Sequence, residues 1–314
     1  LFFFKQKTAY EIFHVTGVQT CALPICVWLS TNPKTTIEAN YNEKLTKIRN
    51  SLSCWELRRL TLLGKITVLE SLIASQLVYI LSPLPSNHSA LTEINNMFFN
   101  FVWDGKGDKV KHNIMINDYE NGGLRMIDIK IFNKALKSSW VKKYLDPENQ
   151  GKWKLLFDYE LQNLGGVEFF RTNLNKQDLL KTIKTAKAFT SEILHIWSEI
   201  SLETNVSSID QLKAQSLWHN SLIRVGNKPV YYRSWSVKGV KTVGHLMNDA
   251  NSFLSFSDFK ELYDIKTNFL TFQGILSAVK ALQKSNEANF NSCNTAYETT
   301  FDTFLKTTKP KRLT

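Results

Sequence analysis

Residues 54–85 read CWELRRLTLLGKITVLESLIASQLVYILSPLP, and the first half of the chain is organised around them. Apolar residues recur there at the three- and four-residue spacing of one helix face: Leu60, Leu63, Ile66, Leu69, Ile73 and Leu77. This spacing predicts a largely buried helix over Trp55–Ile80. The helix is predicted to end at Ser82-Pro83-Leu84-Pro85, because proline has no amide hydrogen to continue the helical hydrogen bonds.

The segments on either side have the same periodicity. Upstream, the pattern predicts an amphipathic helix over Thr36–Leu52 that breaks at Ser51–Ser53. Downstream, Asn87 or Ser89 caps a third helix, which ends at Trp103 before two glycines. Three helices are therefore expected within the first hundred residues after the N-terminal segment.

A β-hairpin and a fourth helix are predicted next. Val110–Ile116 and Leu124–Ile127 are short and apolar enough for strands, with Asn121-Gly122-Gly123 as the turn between them. A helix over Asp128–Tyr144 follows, and Asp146-Pro147 marks a boundary because proline disfavours helix in the residue before it.

The second half of the chain predicts a looser α-rich region. Several segments have helical periodicity, a helix cap or strand character: Lys152–Glu160, Gln177–Leu202, Pro229–Trp235 (strand), Ser255–Tyr263 (capped at Ser255) and Phe269–Leu282. The polar tail is rich in Asn and Thr and ends in basic residues, so it is expected to be disordered. The fold class is mainly α with a short β-hairpin, divided into residues 1–26, 27–150, 151–284 and 285–314.

Residues 1–26 differ from the rest of the chain. KQKTAYEI at Lys5–Ile12 and VTGVQTCALPI at Val15–Ile25 resemble the translation of a common sequencing-library adapter. Phe13 and His14 fall between the two blocks, where such an adapter has its variable index. The segment is therefore interpreted as non-native and is excluded from the fold prediction. Without it the net charge is +10 rather than +11.

The charge balance and the cysteines limit the classes of partner. An excess of basic residues favours polyanions, nucleic acid first, although the solvated surface of a helical protein produces a comparable excess. Every long apolar run is interrupted by polar residues, so no membrane partner is expected. Four cysteines are too few for a disulfide framework in 314 residues, which favours an intracellular location.

Four motifs stand in a fixed order within Asn50–Tyr144: LTLLGKITVL at Leu60–Leu69, Tyr79, FFNFVW at Phe98–Trp103 and GGLRMID at Gly122–Asp128. Together they resemble the region just after the palm in the reverse-transcriptase polyproteins of LINE-type, non-LTR retrotransposons. A weaker resemblance covers Leu217–Val279. It includes LWHNSLIRVGNKPVYYRSW.

The resemblance implies a thumb-like helical bundle from an RNA-directed DNA polymerase. The partners that it implies are RNA, DNA or an RNA–DNA hybrid, together with the palm domain of the parent polyprotein, in a nuclear or cytoplasmic ribonucleoprotein. Polymerase chemistry requires carboxylates that hold two metal ions about 4 Å apart. The chain has no Asp-Asp pair and no match to the endonuclease region. It is therefore expected to be catalytically inactive and to hold no cofactor, although the parent polymerase would need Mg²⁺.

A thumb contacts its duplex through the phosphate backbone, so its contacts should be lysines and arginines. The candidate nucleic-acid-binding residues are Arg58, Arg59, Lys65, Trp103, Lys106, Lys109, Lys111, Lys142 and Lys143, with Lys137 beside the last two. Trp103 is a candidate for stacking on a base, or else anchors a core. The alternative for the whole set is the solvated face of an all-α interaction or scaffold module with no nucleic-acid role.

Overall fold

The computed structural model describes residues 21–22, 27–184, 186–199 and 208–286. The chain divides into two compact units, Leu1–Ser139 and Trp140–Thr314. Both are mainly α-helical. Apart from residues 21–22, the adapter-like segment lies outside the described residues. So do residues 287–314 of the disordered tail predicted over 285–314, whereas residues 285 and 286 are helical.

The first unit is built mainly from helices. Its elements are β1 (Cys21–Ala22), β2 (Trp28–Leu29), α1 (Pro33–Glu56), α2 (Leu62–Val68), a π-helix (Leu69–Ala74), α3 (Ser75–Leu81), α4 (His88–Val102), α5 (His112–Ile116), a 3-10 helix (Tyr119–Asn121) and most of α6 (Ile129–Leu145). Helix α6 contains the division between the units. β1 and β2 pair antiparallel, with Cys21 opposite Leu29.

The core of the first unit lies between α1, the continuous helix Leu62–Leu81 and α4. Each helix contributes a buried stripe, for example Tyr41 and Ile48 from α1, Leu69 and Leu77 from the central helix, and Phe98 from α4. The predicted central stripe is confirmed at Ile66, Leu69, Ile73 and Leu77, whereas Leu63 is exposed. Burying large aliphatic and aromatic side chains contributes about 1.5–3 kcal/mol each, so this packing fixes the unit.

The predicted helix break at Ser51–Ser53 is wrong. Helix α1 continues to Glu56, because the Ser53 hydroxyl donates to the Arg49 carbonyl oxygen one turn back (2.8 Å) and so fits inside the helix. The chain turns instead at residues 57–60. There Arg59 has a left-handed backbone (φ +47°), which ends α1 and allows Thr61 to cap α2.

The hairpin predicted between Val110 and Ile127 is also wrong. Residues 112–116 form helix α5, in which Met115 is buried. The reversal itself occurs where it was expected: Gly122 has φ +73°, and the Leu124 and Met126 amides both donate to the Met115 carbonyl oxygen. Residues 110–116 lack the alternation of apolar and polar residues that a half-buried strand requires, so a helix forms there instead of a strand.

The second unit has shorter elements and an aromatic core. They are α7 (Trp153–Leu161), a 3-10 helix (Gly166–Arg171), α8 (Lys176–Thr182), α9 (Ala188–Ser198), α10 (Ile209–Ala214), β3 (Arg224–Val225), β4 (Lys228–Pro229), α11 (Arg233–Val237), a 3-10 helix (Val243–Leu246), α12 (Phe256–Tyr263) and α13 (Phe269–Asn286). The segment with helical periodicity over Gln177–Leu202 forms two helices, α8 and α9, and residues 200–202 lie outside the described residues. The chain turns at Ile183, whose side chain is buried, so that α8 and α9 cover the same core.

A tight hairpin lies in this unit, at a different place from the one predicted between Val110 and Ile127. Arg224 pairs with Pro229 and Val225 with Lys228, around a two-residue turn of Gly226 (φ +58°) and Asn227 (φ +62°). Two consecutive positive φ angles match the right-handed twist of the strands. The strand predicted over Pro229–Trp235 is confined to its first residue, and α11 follows.

One helical run in the described residues, Leu62–Leu81, is long and apolar enough to cross a membrane by length and composition alone. The core helix of a soluble protein passes the same test. This run supplies Ile66, Leu69, Ile73, Leu77 and Ile80 to the core of the first unit.

Candidate nucleic-acid interface

Lys65 is buried at the start of α2, with 5% of its surface exposed. Its ammonium donates to the Val102 carbonyl oxygen (3.2 Å) and to the carboxylate of Asp104, and it lies 5.6 Å from the centre of the Phe101 ring. All three partners belong to the end of α4 or the residues just after it. Lys65 therefore joins two segments and is not oriented toward an external phosphate.

Residues 104–111, called the basic loop from here on, leave α4 in a left-handed turn. Asp104 (φ +52°) and Gly105 (φ +68°) are both left-handed, and the Gly105 amide donates to the Asn100 carbonyl oxygen (2.9 Å). This is the hydrogen bond that commonly closes a helix C-terminus. A left-handed backbone is unfavourable for most residues but is tolerated by aspartate and glycine.

The other end of the basic loop returns to α4. The His112 ring, which begins α5, stacks on the Phe99 ring with centroids 3.4 Å apart, and its Nε2 lies 2.8 Å from the Asp108 carboxylate. Phe99 is buried in the core of the first unit. The basic loop is thus held near both ends by the last two turns of one helix.

Lys106, Lys109 and Lys111 are exposed on the basic loop. Within the described residues none of them forms an ion pair or a side-chain hydrogen bond. Lys106 and Lys109 act on Asp104 through space. The hydrogen bond from Lys65 is the largest cause of the lowered pKa of Asp104, and the charges of Lys65, Lys106 and Lys109 lower that pKa further. The loop is an exposed, positively charged surface that contacts α4 near both ends.

Trp103 immediately precedes the basic loop and is half-buried against the core of the first unit. Its indole nitrogen is buried and has no hydrogen-bond partner within the described residues. Of the two interpretations of Trp103, this position favours the anchor over the stacking surface.

Arg58 and Arg59 form a second exposed basic segment, the turn between α1 and α2. The Arg58 guanidinium lies 4.4 Å from the centre of the Trp55 ring, a cation–π contact that orients it. Arg59 is six positions before Lys65 in the sequence, so their Cα atoms are at most about 22 Å apart. The turn over residues 57–60, called the arginine turn from here on, thus precedes the helix that carries Lys65, and the basic loop begins with the Asp104 partner of Lys65.

The remaining predicted lysines are placed differently. Lys137 is fully buried in the first unit, where its ammonium donates to the carbonyl oxygens of Ser82 (3.4 Å) and Leu84 at the end of α3. Lys142 and Lys143 belong to the second unit, on the last turn of α6. Lys143 lies over the Trp140 ring at 5.2 Å.

The second unit buries a base of its own, His219, with 7% of its surface exposed. Its ring stacks on Tyr231 (4.8 Å between centroids) and meets the edge of Phe169 (5.1 Å), and its Nε2 is buried without a hydrogen-bond partner in the described residues. Burial lowers the pKa of His219 to about 4, against the opposing effect of a backbone hydrogen bond at Leu164. This imidazole is neutral at neutral pH.

The spacing of Lys65 and Lys137 along their helices indicates that both are buried, although their residue type suggests an exposed side chain. Lys65 is four residues from Leu69 and continues the buried row through Ile73 and Leu77. Lys137 likewise continues the row of Ile129, Asn133 and Val141, all of which are buried. Four-residue spacing on a helix places such residues on one face.

In the part of the chain that the structure describes, no group of three or more His, Cys, Asp or Glu side chains could hold a metal ion. A comparison with models of known protein families finds no match for this chain. The described geometry can present fixed positive charge to a polyanion.

Proposed function

We propose that the chain is a catalytically inactive remnant of a LINE-type reverse transcriptase that binds the phosphate backbone of an RNA–DNA duplex or of structured RNA. One observation carries the proposal: the basic loop presents three exposed lysines without ion pairs in the described residues, and it is held to α4 near both ends. Backbone binding needs positive charge at fixed positions and no base-specific groups. The order of motifs that resembles the thumb region supports the choice of duplex.

Parts of the original candidate set have other roles in this proposal. Lys65 and Trp103 support the interface from within, because both side chains are turned toward the protein. Lys106, Lys109, Lys111, Arg58 and Arg59 are the proposed phosphate contacts. Lys142 and Lys143 belong to the other unit and are not included.

Binding of the full chain to a fluorescently labelled RNA–DNA hybrid across a salt series tests the proposal. Affinity should fall steeply with salt, because each lysine–phosphate contact releases counterions. Replacing Lys106, Lys109 and Lys111 together by alanine should lower the magnitude of the slope of log affinity against log salt by about one per lysine.

A matched control separates a defined interface from general charge. Lys181, Lys266 and Lys284 are exposed lysines of the second unit, with no ion pair in the described residues. Replacing these three by alanine removes the same charge and should leave the slope nearly unchanged. Equal effects of the two triple variants would contradict a defined interface, and a wild-type slope near zero would contradict nucleic-acid binding altogether.

The second candidate function is an all-α interaction module without a nucleic-acid role. It is favoured by one face of α7, where Leu155, Leu156 and Tyr159 are exposed. An apolar surface of this kind is typical of protein–protein contacts. A wild-type chain that is folded by circular dichroism but does not bind the hybrid would favour this candidate.

A further inference from the structure

We infer that Asp104 is a positioning residue for nucleic acid: through its contact with Lys65 it fixes the basic loop in the conformation that presents Lys106, Lys109 and Lys111. The inference rests on the proposed function. By charge alone, the Asp104 carboxylate would repel a polyanion. The inference is that it nevertheless favours binding, because it positions the three lysines.

The geometry of the contact supports a positioning role. Lys65 is nearly fully buried, and its ammonium is also held by the Val102 carbonyl oxygen at 3.2 Å, so it is a fixed point. Asp104 is largely exposed and has a left-handed backbone. The carboxylate therefore ties the first residue of an exposed loop to a fixed point inside the unit.

A second contact, made by His112, holds the other end of the basic loop. His112 stacks on Phe99 and approaches Asp108, so the far end is held against α4 as well. A loop held at both ends loses less conformational entropy on binding, and its lysines meet successive phosphates in a prepared arrangement. Releasing the Asp104 end should weaken binding even though all three lysines remain.

The decisive variant removes both partners. In Lys65→Met/Asp104→Asn one positive and one negative charge are lost, so the net charge of the chain is unchanged, and methionine leaves no unpaired buried ammonium. If only charge matters, the variant should bind the hybrid as the wild type does. If the contact positions the loop, its affinity at low salt should fall about five- to tenfold.

A second measurement requires no nucleic acid. Trypsin should cleave the double variant after Lys106, Lys109 or Lys111 several times faster than the wild type, with the positions located by mass spectrometry. Cleavage after Lys266, in the second unit, should be unchanged and serves as the reference. If the double variant loses its helical circular-dichroism signal, Asp104→Glu replaces it, since this variant keeps the charge but shifts the carboxylate by one methylene group.

The outcomes are distinguishable. Weaker binding together with faster loop cleavage supports the inference. Equal or tighter binding by a folded variant, or unchanged loop cleavage, overturns the inference and leaves the proposed function standing. Absence of binding by the wild type overturns both.

Discussion

Lys65 in the first unit and His219 in the second are basic side chains buried to a similar extent, at 5% and 7% exposure. Lys65 has two oxygen partners, the Val102 carbonyl and the Asp104 carboxylate. His219 has an aromatic ring on its face, another at its edge, and a buried Nε2 with no partner in the described residues. The first unit thus surrounds its buried base with oxygen partners, and the second surrounds its buried base with aromatic rings.

The two arrangements differ in whether the buried base is connected to a charged group at the protein surface. A buried charge requires paired oxygens, or the group becomes neutral instead. In the first unit the pairing carboxylate is exposed, so the buried lysine is connected to a charged surface. In the second unit burial suppresses the charge, and the imidazole acts as part of an aromatic core. Three predictions follow this contrast from the largest effect to the smallest.

Acid should destabilise the second unit through His219. The unfolded chain takes up a proton near pH 6.5, whereas the folded histidine does so only near pH 4. Its stability contribution is therefore fully present above pH 6.5 and is lost as the pH falls to about 4, a decrease of about 3 kcal/mol in the free energy of unfolding. Urea unfolding followed by tryptophan fluorescence across this range measures it.

His219→Phe is the test variant, since phenylalanine keeps the ring stacking but cannot take up a proton. It should remove most of the pH dependence, whereas His88→Ala, at an exposed histidine of α4, should retain it. An unchanged acid response in His219→Phe would remove the contrast with Lys65.

Loss of the buried ammonium should destabilise the first unit. Lys65→Met fills a similar volume but leaves the Val102 carbonyl oxygen without its donor, which should cost about 2 kcal/mol of unfolding free energy. Lys106→Met, at an exposed lysine, should change it by less than about 0.5 kcal/mol. Urea unfolding at neutral pH compares the two. Equal stability of both variants would mean that the contact contributes nothing to the fold.

The smallest effect concerns the ionisation of Asp104. Its pKa is held below the ordinary 3.8, first by the hydrogen bond from Lys65 and then by nearby lysine charges. The contact is therefore fully present above pH 3.8 and is lost as the pH falls through the lowered pKa. In Lys65→Met the pKa should return only part of the way to 3.8, because Lys106 and Lys109 remain. Carbon NMR of the labelled carboxyl group measures the titration.

Apolar periodicity predicted the parts of the fold that depend on one helix face. The helix predicted over Asp128–Tyr144 is confirmed as α6, and the predicted cap at Ser255 is confirmed by its hydrogen bond from the Asp258 amide. In both cases a polar cap directly precedes a regular apolar pattern, so the information is local.

The remainder depended on contacts between distant residues. The type of Lys65 suggested a surface cation, but its four-residue spacing from Leu69 placed it inside, and only the fold supplies Asp104 as its partner. The hairpin was assigned to the wrong glycines. Gly122-Gly123 reverses the chain without strands on either side, whereas Gly226-Asn227 supplies the two residues that a tight hairpin turn requires.

The π-helix at Leu69–Ala74 has a consequence for how this gene can change in length. Its hydrogen bonds span five residues instead of four, so this stretch contains one residue more than the same stretch of α-helix. Loss of one codon for an exposed residue such as Ser71 would convert it to regular α-helix. Ile66 on one side and Leu77 on the other would then keep their orientation toward the core. The segment is thus a point where a deletion can be absorbed without rewriting the rest of the helix.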